Sequence, residues 1–140
     1  MKFPRTAEDV ENEILNSVNK YGQHQGLRIG QLTRVLQKAN PEIIVEGVIR
    51  ILERRSNADT FSQQELAGRV LEIVQPKSQK DLKEVLQRVL KGWDKSVEQF
   101  PFWLRNNYGI NELKVAFAEL ELTEMEKDKL QTLKWWLRLN

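Results

Sequence analysis

The chain holds a single histidine, His24, set in the polar stretch GQHQG at 22–26. Catalytic and structural metal centres need several nitrogen or carboxylate ligands converging on one ion, with each imidazole oriented by a further hydrogen bond. One imidazole between two glutamines supplies none of this. No Ser lies in a G-x-S-x-G elbow that would expose it as a nucleophile. There is no Cys, so thiolate catalysis, disulfides and cysteine-ligated zinc or iron–sulfur centres are outside the inventory. Neither G-x-x-x-x-G-K-[ST] nor a G-x-G-x-x-G following a strand is present to cradle phosphates. No pair of polarised groups can be nominated for acid–base work, so the expectation is a protein that is not an enzyme and uses neither metal nor cofactor.

Carboxylates do recur at helical spacing. Glu42, Glu46, Arg50 and Arg54 fall four apart and form one stripe. Glu46 precedes Arg50 in the orientation that favours an intrahelical ion pair. Acids at the start and bases at the end also suit the helix dipole, so this stripe is read as a solvated face. Glu124, Glu126 and Asp128 occupy the first turns of the last helix, where negative charge is favourable whatever the function. Lys77, Lys80, Arg88, Lys91 and Lys95 line one side of another helix, with Glu84 and Asp94 interspersed. Mixed signs make a poor nucleic-acid track and a reasonable surface for an acidic protein or for water.

The aromatics are more informative. Eight of the eleven lie beyond residue 92: Trp93, Phe100, Phe102, Trp103, Tyr108, Phe117, Trp135 and Trp136. Trp, Tyr and Arg are enriched at the energetic centres of interfaces. Trp93, Phe100 and Phe117 follow the apolar stripes of their helices and are expected in the core. Phe102 to Asn107, FWLRNN, is nearly repeated as WWLRLN at 135–140. In the second copy Leu130, Leu133, Trp136 and Leu137 share one face, while Trp135 and Leu139 fall on a separate flank beside Asp128 and Thr132. That flank either meets a second layer of the same domain or is an exposed apolar patch meant for a partner, and the second is the expectation. The function expected is therefore a helical protein–protein interaction domain that binds a partner or itself through its C-terminal half, with Trp135, Trp136, Arg138 and Leu139 as contact residues.

The elements that must position these residues are helical throughout. Thr6 with Asp9 resembles a capping box, and Val10, Ile14, Leu15, Val18 and Tyr21 then mark a first helix ending near Gly22. Leu32, Val35, Leu36 and Ala39 mark a shorter second one. Asn40 and Pro41 read as N-cap and first residue of a third, PEIIVEGVIRILERR, which is apolar around much of its circumference and expected at the centre. SNADT breaks the pattern, Ser62 with Glu65 opens a fourth helix, and Pro76 ends it. Ser78 with Asp81 opens a fifth, expected to be the longest, running through Trp93 and Val97 to Phe100 until Pro101 stops it. A short helix then reaches Gly109 as a left-handed C-cap, Asn111 caps a seventh through about Leu122, and Thr123 with Glu126 caps the last.

The fold class expected is all-α: one domain over 1–140, of seven or eight short antiparallel helices, either a bundle or stacked pairs of the HEAT or armadillo kind. At 140 residues one core is the default. Hydrophobic residues at 40% and charged residues at 30% fit a globular chain. The N-terminus turns acidic without a signal-peptide core, and no run approaches the roughly 18 apolar residues of a membrane span, so a soluble cytoplasmic protein is expected. Net charge is only +2, distributed unevenly: residues 14–110 carry fifteen Lys and Arg against ten acids, and residues 111–128 carry two against six.

A second reading rests on residues 8–55. Their order of helix, short extended piece LRI, helix, turn KAN and helix resembles a winged-helix or helix-turn-helix unit. The resemblance implies DNA binding with the third helix in the major groove, and Arg28, Arg34, Lys38 and Arg50 as contacts. Glu42 and Glu46 put negative charge on that helix, and the segment after it returns to a helix rather than a hairpin.

Overall fold

Thr6 and Asp9 start the first helix as their spacing predicts. Thr6 Oγ1 accepts the Asp9 N–H at 3.0 Å, and Asp9 Oδ2 accepts the Thr6 N–H at 3.2 Å. The helix that follows is α1, Ala7–Tyr21. The computed structural model describes residues 3–21, 25–54 and 60–139, so His24, the stop at Gly22 and the break at 56–59 lie outside the described residues. Eight helices make up the described residues, with no strand among them: α1, α2 (Gln25–Leu36), α3 (Pro41–Leu52), α4 (Thr60–Val74), α5 (Leu82–Val89), α6 (Gln99–Tyr108), α7 (Ile110–Glu119) and α8 (Glu124–Leu137).

α3 is the centre, as its composition predicts. Asn40 Oδ1 accepts the Glu42 N–H at 2.9 Å, Pro41 occupies the first helical position, and seven residues from Ile44 to Leu52 are buried. A helix apolar on several sides has to be covered on several sides. α3 accordingly packs on α1, α4 and α5. The chain neighbours α1–α2, α3–α4 and α6–α7 do touch, but the larger framework comes from pairs that skip an element: α1–α3, α4–α6 and α6–α8. One hydrophobic cluster joins Val10 of α1 to Leu137 of α8, with Trp93 and Phe100 fully enclosed.

Four expected boundaries are corrected. α2 already contains the segment read as extended LRI, because Ile29, Leu32 and Leu36 continue one inward stripe and Thr33 Oγ1 returns to the Ile29 carbonyl at 2.8 Å. α4 begins at Thr60, so Ser62 is an interior residue rather than a cap. α7 starts at Ile110 rather than behind an Asn111 cap, and it ends at Glu119. Its N-cap is Gly109, which also closes α6 with φ 88° and ψ 156°, a backbone open to glycine.

The fourth correction matters most. The long fifth helix is two: α5 begins behind Asp81, whose Oδ2 accepts the Glu84 N–H at 3.1 Å, and it stops at Val89. A tight turn at Gly92 follows, and α6 opens at Gln99 with Pro101 in its first turn. Proline is at home there, since the first four N–H groups of a helix have no intrahelical acceptor. At Gly92 a Cβ would lie 2.6 Å from the carbonyl oxygens of both Leu52 and Glu53, so the turn presses on the end of α3. Buried Gln64 of α4 ties the same place together. Its Nε2 donates to the Gly92 carbonyl at 2.6 Å, and its Oε1 accepts the Asp94 N–H at 2.8 Å.

Candidate partner-binding surface

α8 is fixed at both ends. Thr123 and Glu126 form the reciprocal capping box expected of them, with Thr123 Oγ1 accepting the Glu126 N–H at 3.3 Å and Glu126 Oε1 accepting the Thr123 N–H at 3.1 Å. Leu130, Leu133 and Leu137 face inward against the core. At the other end Arg138 takes a left-handed conformation, φ 57° and ψ 45°, and its N–H closes onto the Trp135 carbonyl at 3.1 Å.

The two tryptophans at this end part company. The Trp136 indole N–H donates to the Lys95 carbonyl at 2.8 Å, and its ring meets Phe102 of α6 edge-on at 6.4 Å. It is a half-buried strut between α8, α6 and the turn after α5. Trp135 points outward, 59% exposed, stacked edge-to-face on Trp136 at 4.8 Å. Leu139 is half-buried against the core and Arg138 is exposed. Trp135 and Arg138 are therefore the outermost of the four residues singled out from the sequence, while Leu139, read as exposed beside Trp135, packs back on the core instead.

Between α6 and α8 the surface opens into a groove of about 920 Å³, lined by Phe102, Arg105, Trp135, Trp136, Leu137 and Arg138. The Arg105 guanidinium stands 5.2 Å from the Phe102 ring centre. Neither Arg105 nor Arg138 makes an ion pair among the described residues. Arg105 and Phe102 were absent from the expected contact set. The near-repeat of FWLRNN and WWLRLN was a partial signal: Phe102 and Arg105 of the first copy line the groove opposite the second, while Trp103 and Leu104 are buried in the core.

The polar stripe of α3 is not the solvated face its spacing suggested. Glu46 receives Arg88 of α5 at both oxygens, Lys80 at 3.0 Å and Arg50 at 3.1 Å. Arg88 also grips Glu53, at 2.6 Å, while Glu11 of α1 pairs with Arg54. Hydrogen bonds from Arg88, against the opposing effect of burial, hold the Glu46 carboxyl at about 2, with Lys80 and Arg50 adding to the effect. The same carboxylates hold the Arg88 guanidinium above its ordinary range.

The basic side of the fifth element is used up in the same way. Lys80 and Arg88 go to Glu46, Lys95 to Asp128 at 2.6 Å, and Lys77 to the Asn106 carbonyl at 3.3 Å. Lys91 alone of that set is exposed with no side-chain hydrogen bond or ion pair among the described residues.

The residues of the DNA-binding reading differ in exposure and in partners. Arg28 is buried, its Nε on Ser17 Oγ and its Nη2 on Glu13, each at 2.9 Å, lashing α2 to α1. Arg50 is engaged by Glu46, whereas Arg34 and Lys38 are exposed on and after α2. α3, which would enter the groove, is covered by α1, α4 and α5. Among the described residues no cluster of His, Asp or Glu could hold a metal ion, and no helix is long and apolar enough to cross a membrane. No family model, curated protein or solved structure matches the chain.

Proposed function

We propose that this protein is a non-catalytic helical interaction domain whose binding face is the corner between α6 and α8. The observation that carries the reading is Trp135: a tryptophan more than half exposed, on a helix whose inner face is otherwise fully used, at the lip of an open groove. Large aromatic surface of this kind is costly to leave in water and is the residue type on which interface energy concentrates. Its ring rests edge-to-face on Trp136, which Phe102 braces from the other side, so part of its side-chain freedom is already spent before it is covered. Arg105 and Arg138 at the rim favour an occupant that brings carboxylates along with its apolar groups.

The test is a pair of variants, Trp135→Ala and Arg105→Ala, checked for native helix content and then compared with wild type for self-association and for capture of proteins from the source cells. Loss of association in both is the expected result. If every association of the wild-type protein persisted in both variants, the reading would be lost.

A further inference from the structure

The outward face of α8 is complementary to itself. Glu124, Asp128, Gln131 and Trp135 follow one another along it at spacings of four, three and four, and all four are exposed, as is Arg138, the left-handed cap just beyond the helix. The stripe is acidic at its start, aromatic and basic at its end. Gln131 is its midpoint, with Glu124 seven residues before it and Arg138 seven after, Lys127 four before and Trp135 four after. A twofold axis through Gln131 would therefore lay a second α8 antiparallel on the first. Glu124 of each copy would face Arg138 of the other, and Trp135 of each would cover the Lys127 stem of the other. An isologous contact needs this property, because residue i must suit j while j suits i.

We infer that the occupant of this face is a second copy of the same chain, docked antiparallel along α8. The inference rests on the interaction reading above and names its partner. Three features support it. The Glu124 side chain is 93% exposed, with only a 3.4 Å intrahelical contact to Lys127, and Arg138 has no ion pair among the described residues, so both charges are available. The positive edge formed by Arg105 and Arg138 matches the negative start of α8, where Glu124 in its first turn and Glu121 just before its cap are exposed. Met125, also exposed, adds apolar surface at the end that Trp135 of the other copy approaches. The pairs sit at the rim in water, so they select register and partner, while the tryptophan supplies the apolar contact.

The experiment is sedimentation velocity of the full chain over a wide range of loading concentrations, with circular dichroism to confirm folding. Wild type is expected to dimerise reversibly, and Trp135→Ser to remain monomeric at the same concentrations. Glu124→Arg and Arg138→Glu should each weaken the dimer at least about tenfold, since each puts like charges at both ends of a twofold contact. The double variant Glu124→Arg with Arg138→Glu should recover most of that loss. A wild type that stays monomeric throughout overturns the inference, as does a dimer indifferent to Trp135→Ser or a double variant no stronger than the singles. A monomeric wild type that still loses capture of another protein on Trp135→Ala would sink the second-copy inference and leave the interaction reading standing; loss of neither would sink both.

Discussion

Arg88 of α5 meets Glu46 of α3 fork to fork, Nη1 to Oε1 at 2.7 Å and Nη2 to Oε2 at 2.9 Å, forty-two positions apart in the chain. The bidentate geometry is the strong form of this pair. With Lys80, Arg50 and Glu53 around it, it bonds α5 to the polar edge of an otherwise apolar central helix.

Glu46 is the group whose titration should be felt most. Its carboxyl is depressed from 4.5 to about 2, so its stabilisation is fully present above pH 4.5 and is lost as pH falls through about 2. The contribution is of the order of 2–3 kcal/mol at neutral pH. Urea unfolding of wild type and Glu46→Gln should differ by that order at pH 7 and converge near pH 2. Equal stabilities at pH 7 would contradict the structure.

Gly92→Ala should destabilise more than an ordinary surface glycine substitution. The new methyl would press on the Leu52 and Glu53 carbonyl oxygens, which are backbone and cannot swing aside. Overpacking of this kind costs roughly 1–3 kcal/mol, which thermal unfolding would show as a lower Tm.

Gln64→Leu keeps the volume of a buried side chain but leaves the Gly92 carbonyl and the Asp94 N–H without the partners they now have. Orphaning a buried group costs about 1–3 kcal/mol, and because both of these are partly buried the pair together should cost on that order. The expected signs are a fall in the denaturation midpoint and faster amide exchange at Asp94, a residue the substitution does not alter.

Trp135 should dominate the quenchable fluorescence of the monomer. Trp93 and Trp103 are buried, and their indole N–H groups donate to the Val97 and Pro76 carbonyls, while Trp136 is half-buried. Iodide at low protein concentration should therefore quench mainly one emitter, and Trp135→Ser should remove that component while changing stability by no more than about 0.5 kcal/mol.

Tyr108 offers a second titration at the alkaline end. Burial raises its phenol from 10.0 to about 12, and its hydroxyl donates to the Lys80 carbonyl at 2.8 Å. The stability this gives is complete below pH 10 and lost as pH rises through about 12. Absorbance at the phenolate band should show one tyrosine ionising late in native protein, and Tyr108→Phe should lack it.

Sequence by itself determined what depends on neighbours three or four residues away. The apolar stripes of α1, α3 and α8, the boxes at Thr6 with Asp9 and at Thr123 with Glu126, and the Asn40–Pro41 start are all local, because a helix closes its bonds within one turn. The outward placement of Trp135 was legible for the same reason: on a helix, angular position follows from spacing. Only the tertiary structure decided what depends on distant partners. α5 ends at Val89 because Gly92 is pressed against the end of α3, and Pro101 starts a helix because the break comes before it. The Glu42–Arg54 stripe looks solvated in one dimension and is bridged in three, since the side chains that neutralise Glu46 and Arg54 come from α5 and α1. Periodicity reports which face a residue occupies; whether that face meets water or another charge is settled by the packing of the whole chain.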